Sequence, residues 1–454
     1  MSLALNPKGR PATLVNPAQV LVLGFLAVII VGTLLLLLPA ATAEGSDTGF
    51  LTALFTATSA VCVTGLIVVD TGTHWTTFGQ VVVLFLIQIG GLGIMTVSTT
   101  AAMMIGRKVS LRERLVIREA MGHVTLEGMV RLVRLILIVT VIFEGIGALI
   151  LTLHWSRDYP LARAAFLGVF HSVSAFNNAG FDLFSVSLIR YVNDPLTNIT
   201  VMILIVSGGL GFVVMAEIFR RLRRGRSYRF SLHSKIVLTA SVLLWIGGAA
   251  FLLLAEASNP DTMGQLNWMG RILSSVFTSV TPRTAGFNTL PTGSLRLASL
   301  LVIMGLMFVG GSPGSTAGGV KTTTVFVLLS SVYNTILRRT EIEVYRRRLD
   351  SKLVMNSLAI VVLGTLLVFV VTLLLLLSSE GAEFMDCLFE ATSAFGTVGL
   401  STGITSSLNS LGRAAIIVTM FVGRLGPLTL TMAMRLTEQS DPRYRHPRED
   451  IMIG

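Results

Sequence analysis

Four short stretches of the chain repeat one another, and their spacing constrains the fold more than any other feature. They are 55–66 (FTATSAVCVTGL), 170–181 (FHSVSAFNNAGF), 277–287 (FTSVTPRTAGF) and 389–400 (FEATSAFGTVGL). Each ends in a glycine followed by an apolar residue. Those glycines, Gly65, Gly180, Gly286 and Gly399, are 115, 106 and 113 residues apart. Only 13% of the 454 residues are charged and 52% are hydrophobic, whereas a soluble domain carries about 25% charged residues. A four-fold repeat in so apolar a chain implies an all-α polytopic membrane protein built around one central axis.

Several apolar runs reach the ~20 residues needed to cross a bilayer, among them 18–38, 132–153, 236–254 and 353–377. The first is too long for a cleavable signal peptide and lacks a small-residue cleavage pattern. The two cysteines, Cys62 and Cys387, cannot build a disulfide framework, and no Cys/His spacing suggests zinc. The net charge of +11 reads as orientation, not as nucleic-acid binding. Of 35 Lys and Arg, 26 fall in five segments: 1–17, 106–134, 220–235, 337–352 and 435–454. These are expected on the cytoplasmic side, with both termini. The alternating segments carry many acids, Asp70, Asp182 and Glu390 among them, and an acidic outer face attracts cations.

Between consecutive basic segments the chain crosses out and back. The expected units are a cytoplasmic N-terminus (1–17), repeats at 18–105, 128–224, 234–337 and 352–436, and a cytoplasmic C-terminus (437–454). Each repeat reads as a spanning helix, a short apolar helix, a glycine turn and a second spanning helix. The short elements (51–60, 164–174, 269–279, 384–394) hold about ten residues, roughly 15 Å of helix, which is half a bilayer. They should be re-entrant, and the non-helical backbone after each should line a cavity. The candidate filter residues are Val63, Thr64, Gly65, Asn178, Ala179, Gly180, Thr284, Ala285, Gly286, Thr397, Val398 and Gly399. A cation shedding water needs a ring of oxygens, which backbone carbonyls supply. Glycine permits the φ values that turn successive carbonyls the same way. The short helices would add a weak attraction by aiming their negative ends at the pore.

A second motif follows each filter glycine by 24 to 28 residues: Gly90-Gly91-Leu92-Gly93, Gly208-Gly209-Leu210-Gly211, Gly310-Gly311, and Gly423-Arg424-Leu425-Gly426. Small residues there permit close helix packing. The third repeat departs most, as Gly310-Gly311-Ser312-Pro313-Gly314-Ser315-Thr316-Ala317-Gly318-Gly319-Val320-Lys321. Five glycines and a proline cannot continue a helix, so this stretch is expected to break the second helix and lie across the pore as a gate. It resembles a phosphate loop only superficially, because Val320 separates Gly319 from Lys321 and no strand precedes it. Arg424 stands where repeat two has Gly209. A charge at that depth is costly, and it reads either as a structural ion pair or as a positive barrier beneath the filter.

With SAVCVTGL, SAFNNAGFD, TPRTAGFNT, SAFGTVGLSTG and GGSPGSTAGGVKTTT assembled, the chain resembles the Trk/Ktr/HKT superfamily of potassium transporters over about 18–436. It is most similar to KtrB-type membrane subunits, because the first apolar run opens the first repeat without the two extra N-terminal helices of TrkH-type members. The resemblance implies four helix–pore-loop–helix repeats around one potassium pathway in a bacterial inner membrane. It implies filter glycines at Gly65, Gly180, Gly286 and Gly399, a gate loop at 310–321, and a pore arginine at Arg424. It further implies a homodimer seated on a cytosolic, KtrA-like ring that binds adenine nucleotides, with sodium a candidate activator and potassium itself the cargo. Basic segments such as 220–229 suit docking of that ring or anionic membrane lipid equally. Asn178 and Arg283 break strict four-fold identity, which implies weaker potassium-over-sodium selectivity than in a symmetric channel.

Two other classes are weighed. A secondary carrier with alternating access would use Lys321 or Arg424 to bind an anionic substrate. The repeats share one orientation about an axis, which argues against inverted halves. An intramembrane enzyme would need an acid, nucleophile or metal cluster at depth. The six histidines (74, 123, 154, 171, 233 and 446) are scattered, and only His171 sits on a pore helix.

Overall fold

The computed structural model describes residues 17–44, 48–93, 96, 129–339, 341–378, 381 and 383–427. The expected terminal segments lie outside the described residues apart from Pro17, as do the basic segment 435–454 and most of 106–134.

Each repeat contributes a long helix, a shorter pore helix and a second helix. Repeat one is α1 (Pro17–Leu36), α2 (Phe50–Val61) and α3 (Thr77–Leu92). Repeat two is α4 (Met129–Trp155), α5 (Leu161–Phe176), α6 (Pro195–Gly209) and α7 (Phe212–Arg224). Repeat three is α8 (Leu232–Glu256), α9 (Trp268–Val280), α10 (Leu297–Phe308) and α11 (Thr322–Ile336). Repeat four is α12 (Ser351–Ser378), α13 (Phe384–Gly396) and α14 (Ser410–Leu425). A two-residue hairpin, Glu343–Val344 against Arg347–Arg348, lies between α11 and α12.

Two expectations need correction. The pore helices α2, α5, α9 and α13 have 12, 16, 13 and 13 residues, longer than the ten read from sequence. Among the described residues the second helices of repeats one, two and four are also shorter than the spans expected of them, as repeat three's was expected to be. Four described helices are long and apolar enough to cross a membrane alone, Ala18–Leu36, Leu132–Trp155, Leu232–Glu256 and Ser351–Ser378, and each is the first helix of its repeat. The second helices α3, α6, α10 and α14 run only 16, 15, 12 and 16 residues. A break was expected in repeat three alone. Repeat two also breaks, turning 107° between α6 and α7. The turn sits at Gly211, whose φ of +91° a side chain resists. The helices of repeats one and four end against glycines of similar φ, Gly93 at +81° and Gly426 at +83°. The GGLG-type motif is therefore a helix-ending signal as well as a small-residue packing one.

The repeats close into a ring. The second helix of each packs on the pore helix of the next: α3 on α5, α6 on α9, α10 on α13, and α14 back on α2. The phenylalanines that open the four motifs, Phe55, Phe170, Phe277 and Phe389, are all fully buried. Each contributes about 1.5–3 kcal/mol by burial, and together they root the pore helices in one core. The long helices turn large apolar side chains outward, such as Ile30, Val141, Ile246 and Phe369. That is the pattern of helices solvated by lipid.

Candidate functional site: a glycine ring and the loop beneath it

The four repeat glycines meet. They adopt positive φ, Gly65 at +87°, Gly180 at +70°, Gly286 at +78° and Gly399 at +92°. A methyl on Gly65 would lie 2.4 Å from the Ala179 oxygen, and one on Gly180 would lie 2.9 Å from the Ala285 oxygen. One on Gly286 would meet the Val398 oxygen at 2.4 Å, and one on Gly399 the Thr64 oxygen at 2.2 Å. The contacts run in cyclic order through all four repeats. No Cβ fits in any of them. The carbonyl preceding each glycine packs against the glycine of the neighbouring repeat.

The residue two before each glycine is also left-handed: Val63 (φ 56°), Asn178 (57°), Thr284 (72°) and Thr397 (50°). For β-branched residues this is a strained conformation, and strain of this kind persists only where the surroundings impose it. Hydroxyls at the pore-helix ends supply part of that constraint. Ser59 Oγ donates to the Leu66 carbonyl at 2.7 Å and accepts the Gly65 N–H at 3.1 Å. Ser174 donates to Phe181 O and Thr281 to Phe287 O, both at 2.6 Å. Ser393 accepts the Gly399 N–H at 3.1 Å. Each hydroxyl clamps the turn that carries its repeat's glycine.

These four hydroxyls were missed from sequence, although the signal was present. They are the fifth residue of every motif, always Ser or Thr. The second-motif glycines also have a sharper role than general packing. A methyl on Gly90, Gly208 or Gly423 would lie 2.0, 1.8 or 2.1 Å from the carbonyl oxygen of Val61, Phe176 or Phe395. The second helices of repeats one, two and four are thus pressed onto the C-terminal ends of their own pore helices, whereas Gly310 of repeat three meets Gly318 O of the loop.

The 310–321 stretch is irregular and passes between the repeats. A Val309–Val320 bridge closes its neck. On one side it is held by repeat two. The Ser312 and Thr316 amides donate to Gly209 O at 3.1 Å and Gly208 O at 3.2 Å, and the Phe212 amide donates to Gly314 O at 3.0 Å. Pro313 backs onto Gly211, whose added methyl would lie 2.7 Å from the Pro313 oxygen. On another side Gly318 and Gly319 abut Thr397 and Gly396 of repeat four. Gly310, Gly311 and Ser315 pack within the loop, where Ser315 Oγ donates to Ser312 O at 2.7 Å and Lys321 Nζ to Ala317 O at 2.7 Å.

Arg424 ties this loop to repeat one. Its guanidinium donates to the carbonyls of Thr316 and Gly90, and at 3.4 Å to that of Gly91. Its partners are carbonyl oxygens from two separate segments, and neither described ion pair involves it. A structural salt bridge is therefore not its role among the described residues.

The odd members of the motif are placed differently from one another. Arg283 is 5% exposed, lies 5.2 Å from the centre of the Trp245 ring and reaches Gly310 O at 3.5 Å. Its guanidinium therefore lies between the Trp245 ring and the first residue of the loop. Asn177 donates to Gln88 Oε1 and Glu144 Oε1, each at 2.9 Å, linking repeats one and two beside the glycine ring. Above the glycine ring is a cavity of about 230 Å³, lined by all four glycines with Asp70, Asp182, Ser187, Asn288 and Ser401. Two of the acids read as an outer face thus stand at the mouth of the ring.

Residues 3–443 match the TrkH family, described as a cation transport protein. The chain is 42% identical over 439 residues to the Ktr system potassium uptake protein B of Bacillus subtilis (strain 168), covering 97% of both chains. It is 38% identical over 436 residues to the Vibrio alginolyticus protein of the same name, covering 96% of this chain and 94% of that one. It is 37% identical over 454 residues to the potassium/sodium uptake protein NtpJ of Enterococcus hirae, covering 98% and 99%. The fold is similar to the crystal structure of the potassium transporter TrkH from Vibrio parahaemolyticus, with a TM-score of 0.74 at 18% identity over 95% of this chain and 87% of that one.

Proposed function

The chain belongs to the TrkH family of cation transport proteins, and on that premise we propose that it is the membrane subunit of a potassium uptake system. Potassium enters through the acidic cavity and passes the ring of Gly65, Gly180, Gly286 and Gly399, where the preceding carbonyls replace its water. It then meets the 310–321 loop, which acts as a gate latched by Arg424. The observation that carries this reading is the cyclic packing of four positive-φ glycines, each clamped by a hydroxyl of its own pore helix. A soluble or catalytic role explains neither the strain nor the four-fold closure.

The relatives named for a Ktr system support a partner subunit. We assign this chain a homodimeric state on a cytosolic nucleotide-binding ring, in a bacterial inner membrane with both termini cytoplasmic. Sodium is either an activator or a second permeant ion, as the potassium/sodium name of one relative suggests. The alternating-access carrier is less well supported, because Lys321 and Arg424 are both occupied by backbone carbonyls. The test is ion flux in liposomes reconstituted with the full chain. Saturable uptake of potassium and rubidium, faster than sodium, is expected. Obligatory counter-transport of a second solute would overturn the channel-like reading in favour of the carrier.

A further inference from the structure

The hairpin between α11 and α12 has no part in the pathway, yet it is built rigidly. Its turn residues Tyr345 and Arg346 have φ of 50° and 60°, the type I′ geometry that matches strand twist but is unfavourable without glycine. Packing holds it there. Val344 and Leu349 are buried with Ile236 of α8 and Val327 of α11. The Tyr345 hydroxyl meets Thr239 Oγ1 at 2.7 Å, and Asn334 Nδ2 donates to Glu343 O at 3.3 Å.

This scaffold presents charge at a defined level. Arg338, Arg339, Arg346, Arg347 and Arg348 are all exposed. Between 338 and 352 six cations stand against three carboxylates, and the Arg348–Glu341 pair is itself largely solvent-exposed. Two residues before Arg338, Ile336 on α11 is 73% exposed, and five residues after Asp350 Met355 on α12 is 64% exposed. Both flanking helices therefore turn apolar side chains outward immediately beside the hairpin. Arg338 and Lys352, which bracket the hairpin, each stand within one helical turn of that apolar surface, and the hairpin packed between α8 and α11 holds Arg346, Arg347 and Arg348 at the same headgroup level. Guanidinium groups pair with phosphate in a forked geometry.

We propose that the 341–349 hairpin is a binding site for anionic phospholipid headgroups of the cytosol-facing leaflet. This rests on the membrane placement proposed above, in which 337–352 is cytoplasmic. The test is native mass spectrometry of the full chain in detergent, with phosphatidylglycerol or phosphatidylcholine added. The parent should retain phosphatidylglycerol preferentially. The triple variant Arg346→Gln/Arg347→Gln/Arg348→Gln should weaken that retention at least about tenfold and leave phosphatidylcholine unchanged. The double variant Glu341→Gln/Glu343→Gln, which raises the local charge, should tighten it. Unchanged phosphatidylglycerol retention in the triple variant overturns the proposal. So does loss of a cytosolic partner with lipid retention intact, which would make the hairpin a protein-docking surface. Potassium flux in liposomes reconstituted from the same proteins separates the readings: absent flux with intact lipid preference counts against transport, and the reverse counts against the lipid site alone.

Discussion

Replacing Arg424 with glutamine tests whether the loop is latched. The side chain reaches two carbonyl clusters at once, Thr316 on the loop and Gly90 with Gly91 on repeat one. Hydrogen bonds from a charged donor contribute about 1.5–3 kcal/mol each. A shorter, neutral amide can keep at most one of these connections. The latch should therefore weaken by about 1.5–3 kcal/mol, which shifts a closed-to-open equilibrium roughly ten- to a hundredfold. Removing the charge acts in the same direction. At about 5 Å from a passing cation and an effective dielectric of ~20, repulsion is roughly 3 kcal/mol. Rubidium uptake into liposomes carrying the full chain alone should rise accordingly. Arg424→Lys separates the two effects, because lysine keeps the charge but cannot fork between two segments. The geometry predicts that Lys resembles Gln. A Lys variant with parental flux beside a fast Gln variant would leave charge as the cause. Folded, inserted Gln and Lys variants that are both no faster than the parent would refute the latch.

Gly399→Ser should lower potassium affinity and admit more sodium, since its Cβ would fall 2.2 Å from the Thr64 oxygen at a φ of +92°; competitive rubidium uptake against both ions measures this. Ser393→Ala and Thr281→Val each remove one clamp on a strained turn, and should cost about 1–3 kcal/mol of stability together with potassium-over-sodium preference, read by thermal unfolding and by the same competition assay. Asp182 and Asp70 both line the cavity above the glycine ring, so Asp182→Asn should remove one of the two charges that attract cations there and lower rubidium uptake at low external concentration, with uptake at saturating concentration changed less.

Much of the site was legible because its constraint is local. A backbone that must turn at positive φ takes glycine, and that requirement is written once per repeat at Gly65, Gly180, Gly286 and Gly399. The pore helices and the irregular 310–321 stretch were readable for the same reason, through helix length, glycine and proline. The added breaks beneath the glycine ring were misread. A glycine pair looks the same whether it lets two helices touch or ends one, and only the φ of Gly211 distinguishes these.

Composition and repeat spacing by themselves determined a membrane-embedded, four-fold helical protein with glycine-turned segments on an axis. Tertiary structure decided everything that depends on which repeat meets which. The cyclic order, α3 on α5 through to α14 on α2, appears nowhere in the linear chain. Nor do the destinations of the two arginines: buried Arg283 turned toward Trp245 and half-buried Arg424 spanning 334 residues to reach Gly90. A long charged side chain in an apolar segment must find oxygens or a ring face, because lipid offers neither. The sequence can state that requirement, but the partners that satisfy it are backbone groups, identical at every residue, and only the fold selects them.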